Sequence, residues 1–142
     1  MAGSVTTTTS RVAGSNNVSK YSLAWTSDAA GAVSGNSAEI LTGTVIAVTF
    51  TPGSGGSQPT DAYDVTMTCD THGVNVLDNG AGTSIGTNLS NVNGTHKVPF
   101  IQGATETFVR QWLHGGGYTL VVAAAGDTKS GTVDIYVNPN AL

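Results

Sequence analysis

Apolar and polar residues alternate in short runs along most of this chain. Within residues 20–26, Tyr21, Leu23 and Trp25 share one face while Ser22, Ala24 and Thr26 share the other. Residues 44–51 repeat the pattern with Ile46, Val48 and Phe50, and residues 63–70 with Tyr63, Val65, Met67 and Cys69. Val133, Ile135 and Val137 form a last set within residues 131–137. A period of two places successive side chains on opposite faces, the pattern of a strand buried on one side. Residues 118–125 are more continuously apolar and predict a buried strand. Shorter strands are predicted at 39–41, 74–77 and 97–101, the last an edge or bulge because of Pro99. Residues 106–113 fit both periods, since Phe108, Arg110 and Trp112 alternate while Phe108 and Trp112 are also four apart; the strand reading is preferred.

Turn chemistry separates these runs. The stretch Phe50-Thr-Pro-Gly-Ser-Gly-Gly-Ser-Gln-Pro-Thr-Asp-Ala-Tyr-Asp-Val65 is a Gly/Ser/Pro loop between two alternating segments. Asp78-Asn-Gly80 predicts a hairpin turn, and Gly115-Gly-Gly117 ends the strand before it. Residues 28–36 read as a small-residue loop. Residues 81–94 carry the weakest pattern, with Ile85, Leu89 and Val92 as anchors. No segment predicts a helix, and no internal repeat is evident. Together these features predict an all-β, single-domain two-sheet β-sandwich or jelly roll of about eight strands. The domain spans residues 18–138, between an extended N-terminal arm (1–17) and a short tail (139–142). The arm is β-prone from Val5 to Thr9 but broken by Gly14-Ser-Asn-Asn17, so it is expected to be disordered or to gain order on a partner's surface.

A chain of 142 residues is long enough to bury a real core. Composition narrows what its surface can do. Charged residues make up 10% and the net charge is −4, so the surface is polar through hydroxyls and amides. Docking such a surface desolvates little charge. Arg11, Lys20, Lys97, Arg110 and Lys129 form no basic stripe, which argues against nucleic acid as a partner. No apolar run is long enough to span a membrane as a helix. The N-terminus lacks the basic start and apolar run of an export signal, so the product is expected to stay where it is made or to leave without the standard export signal. Cys69, in phase with Met67, is expected to be a small buried hydrophobe.

Candidate chemistry is sparse. Gly82-Thr-Ser-Ile-Gly86 matches the Gly-x-Ser-x-Gly elbow, but no helix follows and no histidine lies after Asp127 or Asp134, so neither the context nor the order of a hydrolase triad is present. Asp70 and His72 could offer two metal ligands, with His96 and His114 elsewhere, which is short of a zinc set. Asp61, Asp64, Asp78 and Asp127 fit turn chemistry. The glycine-rich loops lack the helix and Lys-Ser/Thr pair of a phosphate cradle. The expectation is therefore no catalytic residue, no metal and no cofactor. Trp25, Trp112 and Tyr118 could stack a sugar if exposed together, although Trp25 falls in phase with the core.

Three stretches, Lys20-Tyr-Ser-Leu-Ala-Trp-Thr-Ser-Asp28, residues 50–65 and Gly131-Thr-Val-Asp-Ile-Tyr-Val137, resemble small β-rich structural proteins of tailed-bacteriophage virions. The resemblance implies a non-enzymatic protein made in the host bacterial cytoplasm and built into the virion. Capsid decoration (cement) is the leading role, with a neck or tail component as the alternative and a carbohydrate-binding module behind both. It implies the major capsid protein or other virion proteins as partners, and a trimer or dimer. The expected contact elements are the arm (Val5, Thr7, Thr9, Arg11) and the loop Gly53, Ser54, Gly55, Gly56. Phe100 and Trp112 are the expected anchors between subunits.

Overall fold

A computed structural model of the chain describes residues 2–15, 17–36, 42–78, 84–97, 100–102, 108–110 and 112–138. The described residues form twelve strands and one 3-10 turn, the short strands raising the number above the expected eight. They are β1 (Ser4–Arg11), β2 (Ser19–Thr26), β3 (Val33–Asn36), β4 (Thr42–Pro52), β5 (Tyr63–Cys69) and β6 (Gly86–Leu89). Then follow β7 (Thr95–Lys97), β8 (Phe100–Gln102), β9 (Phe108–Arg110), β10 (Trp112–His114), β11 (Tyr118–Ala123) and β12 (Ser130–Asn138). Sheet A runs β1-β2-β12-β4-β10, with β7 also on β4; sheet B runs β3-β11-β5-β6; β8 and β9 form a separate ribbon. All pairings are antiparallel. The architecture is consistent with the predicted single-domain β-sandwich.

The alternation decides what lies between the sheets. Leu23 and Trp25 from β2, Val48 and Phe50 from β4, and Val133, Ile135 and Val137 from β12 come from sheet A. They meet Tyr63, Val65 and Met67 from β5 and Tyr118, Leu120 and Val122 from β11, all essentially inaccessible. Cys69 is buried with them, as its phase requires. The Trp25 and Tyr63 rings are 5.7 Å apart at a 48° tilt, which joins the two sheets. At one corner the two sheets are also linked by polar bonds. The Ser27 hydroxyl donates to Gly126 O at 2.7 Å and accepts from Lys129 N at 2.8 Å, while Ala125 N donates to Gly31 O.

Burial pushes the Tyr63 phenol up to about 12 from its ordinary value near 10. A raised folded-state pKa favours the folded, neutral form fully below pH 10, and that advantage disappears as pH rises through 12. The protein is therefore expected to lose stability as pH rises between these limits. Melting temperature followed from pH 9 to 12 checks this, and the loss should shrink in Tyr63→Phe.

Four expectations are corrected. Strict alternation puts Ile46 in phase with Val48 and Phe50, but a bulge opposite Tyr136 and Val137 shifts the register, so Val45 is buried and Ile46 is only half-buried. An extra residue turns the alternation over locally, which the pattern on one strand does not reveal. Residues 33–36, read as loop, form β3 on the edge of sheet B. Its Gly35 lies under β1, where an added Cβ would come within 2.8 Å of Val5 Cγ2. Residues 74–77 make one bridge, Asn75 to Thr68, rather than a strand; Val74 is exposed and Asn75 Oδ1 accepts from Met67 N and Leu77 N. Within 84–94, Gly86–Leu89 is a strand and Val92 is exposed rather than an anchor. The predicted strand at 39–41 and the tail from 139 onward lie outside the described residues.

Candidate functional site

The residues expected to form a free arm are an eight-residue strand, β1, paired with β2 from Ser4↔Thr26 to Arg11↔Ser19. Threonine suits a pleated surface, and Val5 packs against the core, so the segment gains order from its own sheet. Its phase reverses the expected contacts. Val5 is partly buried and Thr7 is buried, whereas Ser4, Thr6, Thr8 and Ser10 face outward; Thr9 and Arg11 are exposed at the end of the strand.

Those outward residues belong to a larger surface. Across β1, β2, β12 and β4 the outward positions are Ser or Thr except for Lys20, Ala24, Ala47, Asp134, Tyr136 and Asn138, with Ile46 half-exposed at the bulge. One cross-strand row runs Thr6, Ala24, Thr132, Thr51, and the next runs Thr8, Ser22, Asp134, Thr49, His96. In the second row the Ser22 hydroxyl donates to Asp134 Oδ1, and Thr49 Oγ1 lies 2.8 Å from His96 Nδ1. The imidazole contacts Thr49 while the carboxylate contacts Ser22. They do not form the relay in which one imidazole bridges a hydroxyl and a carboxylate. These bonds instead hold the side chains in fixed orientations on a polar face. At its end, a shallow cleft of about 320 Å³ is lined by Thr6, Ala24, Thr26, Pro52, Ser130 and neighbouring residues.

The loop at 53–56 borders this cleft. Gly53 N donates to Ser130 O at 2.8 Å, and a side chain at Gly53 would collide with Ser130 and Ser57. Ser54, Gly55 and Gly56 project into solvent, and Lys129 Nζ donates to Gly56 O at 3.0 Å. Trp112 in β10 pairs with Thr44 and is 51% exposed, on the same side of sheet A. Phe100 lies in β8, paired with Arg110 of β9; its side chain falls outside the described residues.

Other candidates separate. Ser84, centre of the Gly-x-Ser-x-Gly match, is buried; its hydroxyl donates to Val65 O at 2.6 Å and accepts from Gly86 N, so it braces β6. Asp70 Oδ1 accepts from the Thr119 hydroxyl, and His72 Nδ1 lies 3.5 Å from Cys69 Sγ. Among the described residues no group of three or more His, Cys, Asp or Glu could hold a metal. Trp25 and Tyr118 are buried, so they form no stacking platform with Trp112. Sequence reading saw the polar faces of single strands but missed the Ser22–Asp134–Thr49–His96 row, whose members come from four strands far apart in the chain. No family model, curated protein or solved structure matches this chain.

Proposed function

We propose that this chain is a non-enzymatic structural protein of a tailed-bacteriophage virion, a capsid decoration protein that docks on the mature head shell through the outer face of sheet A. The observation that carries the reading is the wide, hydroxyl-rich and nearly uncharged surface spanning four long strands. Such a face can exchange water for a protein partner's polar groups with little charge to desolvate. A protein that binds only the expanded shell stabilises that shell by mass action, and many copies on one lattice add avidity. The likeness of residues 20–28, 50–65 and 131–137 to virion proteins supports the same reading. A neck or tail position would use the same surface in fewer copies.

Copy number in purified particles, measured by quantitative mass spectrometry against the major shell protein, tests it. A ratio near one per shell subunit is expected. About a dozen copies or fewer would move the protein to a neck or tail ring, and none would end the virion reading. A charge placed within the face separates the docking surface from the rest of the fold. Thr132→Glu is expected to weaken shell binding about tenfold or more, because an unpaired carboxylate would be buried. Thr66→Glu, on the outer side of sheet B, should leave binding unchanged in the same co-sedimentation assay.

A further inference from the structure

Asn93 and Gly94 lie in the connection between β6 and β7, and both are exposed. The chain just before them is tied down. Asn91 N donates to Asp61 Oδ1 at 3.2 Å, and Asn91 O accepts from Gln58 Nε2 at 2.9 Å. The Ser90 hydroxyl accepts from Val92 N and Asn93 N. Just after them β7 begins at Thr95, which pairs with Phe50. Among the described residues no hydrogen bond holds Gly94 N or the Asn93 carboxamide. The peptide joining these two residues stands unbonded between two anchored pieces of chain.

An asparagine followed by glycine carries its own nucleophile. Once the Gly94 amide gives up its proton to hydroxide, its nitrogen can attack Asn93 Cγ. Glycine has no Cβ to crowd that approach and leaves the backbone free to turn. Other described asparagines lack this arrangement. Asn17, Asn75 and Asn91 precede valine and Asn88 precedes leucine, whose side chains crowd the attacking nitrogen. Asn138 precedes a proline, which has no N–H. Asn36 is held in β3, opposite Thr119.

We propose that Asn93–Gly94 is a site of spontaneous covalent modification, at which the chain converts a neutral amide into a carboxylate. The Gly94 N–Asn93 Cγ bond forms, the Cγ–Nδ2 bond breaks, and ammonia leaves after taking up a proton. A five-membered succinimide remains. Water then opens it at one of its two carbonyl carbons. Attack at Cγ leaves aspartate at position 93, and attack at the main-chain carbonyl leaves isoaspartate, with the chain rerouted through the side chain. Either product adds one negative charge to a chain whose net charge is −4. The charge falls at the border of the outer face of sheet A. A Cβ on Gly94 would lie 3.5 Å from Phe50 O and 4.0 Å from Thr51 Oγ1, and Thr51 belongs to that face. The site is thus a one-way change from neutral to charged beside a nearly uncharged surface.

The inference does not rest on the virion reading and is tested on the purified chain alone. The folded chain, and the same chain unfolded in guanidinium chloride, are incubated at mildly alkaline pH in water enriched in heavy oxygen. Peptide mapping then reads position 93 separately from Asn79–Gly80, which lies outside the described residues. Aspartate and isoaspartate carrying one heavy oxygen are expected at position 93. The folded chain should convert within about threefold of the unfolded rate, because the fold does not hold this joint. Gly94→Ala meets only ordinary contacts and is expected to fold, yet to convert about tenfold more slowly. A folded chain that keeps its amide at position 93 while the unfolded chain loses it overturns the proposal. So does conversion of a folded Gly94→Ala chain at the native rate, or a product without heavy oxygen. The comparison of folded and unfolded native chain decides the matter even where the variant does not fold.

Discussion

Truncating Trp25 to alanine is expected to destabilise the protein by about 3–5 kcal/mol and to lower its melting temperature by roughly 10–20 °C. The indole is 2% exposed, lies against Tyr63 of the opposite sheet, and passes beneath the backbone of Gly131 on the neighbouring strand. Removing it leaves a cavity between the sheets that neither can close, because β2 is held on both sides by β1 and β12. Against the ~5–15 kcal/mol that stabilises a typical domain, this is a large fraction. Urea denaturation gives the number directly. A loss below about 1 kcal/mol would mean that the indole is not packed as described.

The second large effect is at Gly131. A Cβ there would lie 2.5 Å from Trp25 Cζ2, 2.8 Å from Trp25 Cε2 and 2.9 Å from Thr51 O. Neither neighbour yields easily. The indole is wedged in the core and the carbonyl belongs to the adjacent strand, so glycine is required for lack of space. Gly131→Ala is expected to cost about 1–3 kcal/mol. The two substitutions should also be coupled. With Trp25 reduced to alanine the added methyl has room, so the double variant should be more stable than the sum of the single losses predicts, by about 1 kcal/mol or more. Simple additivity in the urea-derived free energies would contradict the contact.

Part of this architecture can be read without coordinates. Tyr21, Leu23 and Trp25, and again Tyr63, Val65, Met67 and Cys69, are buried as their alternation demands. The burial of Trp25 also removes it from any sugar-stacking role, as its phase implied. The arm shows where such reading stops. The run of threonines ahead of Gly14 carries no apolar stripe, yet it forms a full strand because β2 offers it a ladder. β3 is similar: Val33-Ser-Gly-Asn36 has the composition of a loop and becomes a strand by pairing with β11.

The chain by itself determined which side chains of a strand share a face, because successive residues on an extended backbone point to opposite sides whatever surrounds them. It therefore determined the all-β class, most of the core and the hydroxyl-rich chemistry of the surface. Only the tertiary structure decided which strands are neighbours. That choice assembles Thr8, Ser22, Asp134, Thr49 and His96 into one row and sets the bulge at Ile46. Strand order and register come from the packing of whole faces and from hydrogen bonds between distant segments, which local alternation does not encode.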